Sequence, residues 1–122
     1  MTGVRVLHLQ KVAGISGSEA HLLSLLPSLR ERGWDVRMLM LHEHEPGAWD
    51  FARELHARGV PLDAIPLAGD VDPIAFLKLT AYLLRHRPEI LHTHLVHADA
   101  YGQITGTLSR VPVRFSTKHG FN

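Results

Sequence analysis

"VRVLHLQKVAGISGSEAHLLSLLPSLRERG", residues 4–33, holds the unit from which the fold is read. Residues 4–9 form a short apolar run, long enough for a buried strand. A loop with Gly14 and Gly17 follows. Residues 20–32 then place Leu22, Leu23, Leu25, Leu26 and Leu29 on one broad helical face. Ser16 and Glu19 stand in S-x-x-E relation, the spacing of a capping box. Gly33 follows the last turn as a stop signal. Pro27 breaks the local rule, because it has no N–H for the helix ladder, and a kink is expected there.

The same strand-then-helix alternation continues outward. Strands are predicted at 36–41, 60–65, 90–93 and 113–117, and helices at 48–58, 74–86 and 97–109. Gly59 ends the second helix. Asp72 and Pro73 start the third as N-cap and first helical residue. Its apolar side is read as Phe76, Leu77, Thr80, Leu83 and Leu84. Five strands alternating with four helices imply one α/β domain over residues 1–122. The expected fold is a Rossmann-like, doubly wound parallel sheet with helices on both faces. Ligands of such sheets bind at the carboxyl ends of the strands, near the reversal of strand order.

Composition narrows the function classes. The 122 residues are 45% hydrophobic and 20% charged, an ordinary globular balance. Thirteen basic residues against 12 acidic give a net charge of +1, spread along the chain, which offers no electrostatic case for nucleic acid. The absence of cysteine rules out disulfides, thiolate nucleophiles and Cys-ligated zinc. The N-terminus lacks the pattern of a secretory leader, and no apolar run is long enough for a transmembrane segment. These features lead to a cytoplasmic expectation, with contact between a parent enzyme and a membrane surface left open. The Leu-rich first helix is read as core, not as a membrane face.

Three loops are placed to carry chemistry. "KVAGISGSEA", residues 11–20, joins two glycines to a helix start, where backbone donors and the helix dipole suit a phosphate. Neither G-x-G-x-x-G nor G-x-x-x-x-G-K-[ST] is present, so neither a dinucleotide fingerprint nor a P-loop is read here. A flexible loop with an ordinary capping box is the plainer reading. "LHTHLVHADAYG", residues 91–102, puts His92 and His94 on one strand face, with His97 beyond. Sugar or phosphate contact suits this cluster better than metal, whose usual ligand set is missing. "STKHGFN", residues 116–122, sets His119 and Gly120 at a strand end, where a histidine can act as acid, base or donor. "HEHE", residues 42–45, is read as a solvated loop.

Three of these stretches, in order, resemble the N-terminal domain of retaining glycosyltransferases of family 4, which have the two-domain GT-B architecture. They are "SGSEAHLLSLLPSLRERGWDV", "RPEILHTHLVHADAYG" and "VPVRFSTKHG". The usual family forms are a Gly-Gly-x-Glu loop before a Leu-rich helix, an R-P-D-I-V-H-T-H strand and a T-x-H-G strand end. Gly17 matches the second loop glycine and Glu19 the glutamate, while Ser16 stands where the first glycine is usual. His94 matches the second histidine of the strand, and Thr117, His119 and Gly120 match the strand end.

The resemblance implies substrate contacts at Ser16, Gly17, Ser18, Glu19, His94, Thr117 and Gly120. It implies that His119 faces the sugar-transfer site, as the catalytic candidate. No cofactor and no metal are implied. The nucleotide-sugar donor is expected mainly on a C-terminal domain beyond this chain, and the N-terminal domain is expected to bind an acceptor. The chain therefore reads as a piece of a larger enzyme, inactive alone. A homodimer through an uncovered edge strand is expected. Two other classes stay open: a non-catalytic α/β binding or interaction module, and a histidine-based metal protein.

Overall fold

The computed structural model describes residues 3–69, 72–94 and 112–117. Its elements run β1 (Arg5–Lys11), α1 (Gly17–Glu31), β2 (Asp35–His42), α2 (Pro46–Ala57), β3 (Leu62–Pro66), α3 (Pro73–His86), β4 (Ile90–His94) and β5 (Val113–Thr117). The helix expected at 97–109 lies outside the described residues. All four neighbouring strand pairs are parallel, in the order β3-β2-β1-β4-β5. The chain thus builds outward from β1 to β3, then returns to add β4 on the other side of β1. The order reverses between β1 and β4, which makes their carboxyl ends the place where this class of sheet opens a crevice.

Two cores flank the sheet, as the doubly wound expectation requires. On one face Leu22, Leu23 and Leu26 of α1 and Phe51 and Leu55 of α2 pack on Val6, Val36, Met38 and Met40. On the other, Ala75, Leu79 and Leu83 of α3 pack on Leu7, Leu9, Leu39, Leu41 and Leu91. Burying each large apolar side chain stabilises the fold by roughly 1.5–3 kcal/mol before chain entropy is counted.

Three expectations are corrected. The buried side of α3 is Ala75, Leu79 and Leu83 with Phe76 and Tyr82 beside it, so Leu77 and Leu84 are exposed at 68% and 46%. The helix is apolar nearly all round, so periodicity alone fits more than one face. The "HEHE" stretch is not wholly solvated, because β2 runs on through His42, which is buried against Trp49 with ring centroids 4.9 Å apart. Helix α2 begins at Pro46, not residue 48, with Glu45 as N-cap and proline in the first turn.

Pro27 lies inside α1, which is helical from Gly17 to Glu31. Proline leaves the carbonyl four residues earlier without its helical donor. That carbonyl belongs to Leu23, and Arg58 at the end of α2 donates to it through Nη1 at 2.9 Å. The carbonyl that Pro27 leaves open is thus satisfied from a neighbouring helix.

Candidate functional site

Toward its carboxyl end β1 carries two polar residues on one face ahead of the terminal Lys11. His8 and Gln10 alternate with Leu7 and Leu9, so both point to the α1 side. In β4, His92 is the register partner of His8, and His94 that of Gln10. Thr117 of β5 is the register partner of His94. The switch point therefore carries two polar rows, one starting with His8 and His92, the other with Gln10, His94 and Thr117. The ring centroids of His8 and His92 are 4.9 Å apart.

The start of α1 is tied to this face by one carboxylate. Glu19 is buried, with only 4% of its surface exposed. Its Oε2 accepts from Gln10 Nε2 at 2.7 Å. Its Oε1 accepts from the Ser16 backbone N–H at 3.1 Å, from Ser18 Oγ at 3.2 Å, and from the Ser16 hydroxyl. The reciprocal S-x-x-E link read from the sequence is present, since Glu19 reaches back to the N-cap residue. Glu19 spends its acceptors on ordering the loop and fixing the helix start to β1.

Gln10 is fully buried and gives its amide N–H groups to Glu19 and Ser18. Among the described residues its Oε1 is the only buried side-chain polar atom without a hydrogen-bond partner. Turning the amide over would set an oxygen against the Glu19 carboxylate, so the present orientation is the favourable one. A buried acceptor left unpaired is uncommon and calls for an explanation.

A hollow of about 440 Å³ opens beside this network, lined among others by Lys11, Gly14, Ser16, Glu19 and Glu45. The first N–H groups of α1 have no partner within the helix, and the dipole makes that end partly positive. Lys11 adds a charge at the rim, held by Glu43 at 2.5 Å. The loop is propped from behind by α2. A Cβ placed on Gly47 would lie 2.4 Å from the Ala13 carbonyl oxygen, so the close approach depends on glycine. A Cβ on Gly17, by contrast, would meet nothing within 4 Å among the described residues. Packing within the chain does not demand glycine at that position.

Burial lowers the pKa of His8 to about 3, with the neighbouring His92 and then His21 adding to the effect. The imidazole is neutral at physiological pH and takes no part as a cation. Burial likewise lowers His42, helped by His44, and its Nδ1 accepts the His44 backbone N–H at 3.2 Å.

Of the residues singled out from sequence, Ser16, Gly17, Ser18 and Glu19 come together at the start of α1, and the register sets His94 and Thr117 in the row of Gln10. His119 and Gly120 lie outside the described residues. Gln10 and His8 were missed by sequence reasoning. Their signal was two polar residues two apart within an apolar strand, the same H-x-polar pattern as His92 and His94.

A family model described as "Glycosyl transferase 4-like domain" matches residues 16–121. No curated protein matches the chain. Among solved structures, HepE from Anabaena in complex with UDP is similar, with 15% identity and a TM-score of 0.65, over 94% of this chain and 29% of that one. A putative UDP-N-acetylglucosamine 2-epimerase from Listeria monocytogenes is similar at 9% identity and a TM-score of 0.60, over 93% of this chain and 30% of that one. Acetoin dehydrogenase from Enterobacter cloacae follows at 18% identity and a TM-score of 0.54, over 87% of this chain and 49% of that one. A UDP-bound protein, a putative epimerase and a dehydrogenase share the architecture, so these likenesses speak for the fold alone. The chain spans less than a third of the length of the first two. The family match covers most of the chain from the start of the α1 cap onward, and on that ground the chain belongs to the glycosyl transferase 4-like domain family.

Proposed function

We propose that this chain is the acceptor-side part of a glycosyltransferase that moves a sugar from a nucleotide-sugar to an acceptor. The observation that carries the reading is the unpaired Gln10 carbonyl beside the start of α1 at the switch point. It is a buried acceptor ready for a donor such as a sugar hydroxyl, next to helix N–H groups suited to an anion. The open space at Gly17 supports a ligand approaching the backbone there. Ser16, Gly17, Ser18 and the Gln10 carbonyl are the proposed contacts, with the Glu19 carboxylate and the Gln10 amide N–H groups holding them in place. His94 and Thr117 extend the row, and the family pattern adds His119 as the group facing transfer, with Gly120 giving the turn.

The nucleotide-sugar belongs mainly to a second domain in this reading. HepE, similar in fold, has been solved with UDP and glucose, which is consistent with a donor of that class. Aligning donor and acceptor across a closing cleft supplies much of the rate of such a transfer. Residues 1–122 alone are therefore expected to be inactive, and cytoplasmic enzymes that draw on nucleotide-sugar pools are the setting that fits.

The test is turnover of a panel of nucleotide-sugars, read as nucleotide release, by the intact protein and by residues 1–122 alone. Release by the intact protein and none by the isolated chain is the expected result. An intact protein that turns over no nucleotide-sugar would remove the enzyme reading in favour of a binding module.

A further inference from the structure

Arg37 stands where a charge is unusual. It alternates with Leu39 and Leu41 along β2, so it belongs to the row that α3 covers. That strand is interior, between β3 and β1. The side chain is half-buried, yet among the described residues no carboxylate lies within ion-pairing distance of its guanidinium. A charge drawn out of water is normally matched by a counter-charge. Arg37 instead acts on the phenol of Tyr82. Burial, then the hydrogen bond and charge of Asp63, raise the pKa of that phenol, so it stays neutral. Asp63 is engaged in turn, accepting from Tyr82 Oη at 2.8 Å.

Arg37 lines a hollow of about 450 Å³, a size that suits a small molecule. The buried Leu39 and Ile65 give it an apolar floor. The rings of Tyr82 and His86, with centroids 4.2 Å apart, line it from α3. Arg85 and Asp63 also line it, so two guanidiniums face one carboxylate. Helix α3 runs back from the carboxyl end of β3 to the start of β4, which sets its last turn over the amino ends of the strands. The hollow therefore lies at the opposite end of the sheet from the start of α1. We propose that it is a second site, which binds a small organic anion with a carboxylate or phosphate on Arg37 and Arg85 and a flat apolar body on the floor beside Tyr82. A guanidinium matches either oxyanion through paired hydrogen bonds. Asp63 works against a bare polyanion, and the apolar floor is covered only by a ligand that has a body. The proposal is independent of the sugar-transfer reading, and a protein inactive on every nucleotide-sugar would still bind this ligand.

The test is titration calorimetry of the intact protein with phenyl phosphate, benzoate, phenol and inorganic phosphate. One of the two ring-bearing anions should bind roughly tenfold or more tightly than phenol and inorganic phosphate, and the tighter of the two tells which oxyanion the hollow takes. Arg37→Gln and Arg85→Gln should each weaken that binding by roughly tenfold or more, the usual size of a lost charge-assisted hydrogen bond. Arg85 is exposed, so its variant keeps the native melting temperature and decides the matter even if Arg37→Gln fails to fold. Gly17→Val, at the other end of the sheet, should bind the anion as the native protein does. The proposal is overturned if neither ring-bearing anion binds the native protein at up to about 10 mM, a concentration at which millimolar affinity is measurable. Native affinity in either folded arginine variant overturns it as well, as does a loss of binding in Gly17→Val, which would place the anion at the switch point.

Discussion

Glu19 takes hydrogen bonds from three residues, Gln10, Ser16 and Ser18, and sits almost out of reach of solvent. Its hydrogen bonds tie the loop and the helix start to β1. His8, one polar row below Gln10, offers a cleaner prediction. Its pKa is about 3 in the fold against 6.5 for an unperturbed imidazole. The unfolded chain therefore takes up a proton in this window and the native chain does not. Stability is fully present above pH 6.5 and falls as the pH drops below it, by about 1.4 kcal/mol per pH unit from this one group. Urea midpoints between pH 7 and pH 5 should show a shallower slope for His8→Gln than for the native protein. Equal slopes would mean that His8 titrates normally. Sequence alone located Ser16, Gly17, Ser18 and Glu19, because capping and glycine leave local signals. It did not locate Gln10, whose significance depends on partners on α1 and β4 that only the parallel register brings near.

At the level of elements, α1 and α2 are joined by more than apolar packing. Pro27 leaves the Leu23 carbonyl open and Arg58 fills it. Arg58→Ala should leave a largely buried acceptor without its partner, at a cost of about 1–3 kcal/mol. In a Pro27→Ala background the new N–H can reach the same carbonyl, and the cost of Arg58→Ala should shrink. A double-mutant cycle by chemical denaturation measures this, and an equal cost in both backgrounds would refute the link. The described strands and helices were legible from period and punctuation, give or take a residue or two at their ends. The face of α3 was not, because Leu77 and Leu84 satisfy the same spacing as Leu79 and Leu83, and only contact with the sheet decides between them. The extension of β2 to His42 was hidden for a related reason: its support comes from pairing with Pro66 of β3, not from its own residues.

For the whole molecule, alternating strands and helices were enough to anticipate a parallel sheet, and the order β3-β2-β1-β4-β5 puts the switch point, where sheets of this class bind ligands, between β1 and β4. The chain covers 29% of HepE, and in the proposed reading it holds one side of a two-domain cleft in place. The central claim is that the start of α1 at the β1–β4 switch point is a ligand surface and not merely a capped helix end. The most direct measurement is kcat/KM for nucleotide-sugar turnover by the intact protein carrying Gly17→Val, alongside its melting temperature. A Cβ there meets nothing within 4 Å among the described residues, so stability should stay within about 0.5 kcal/mol of the native value. If the ligand approaches the backbone at Gly17, kcat/KM should fall by roughly tenfold or more, since misplacement by about an ångström can cost that much. Native kcat/KM in a stably folded Gly17→Val protein would contradict the account.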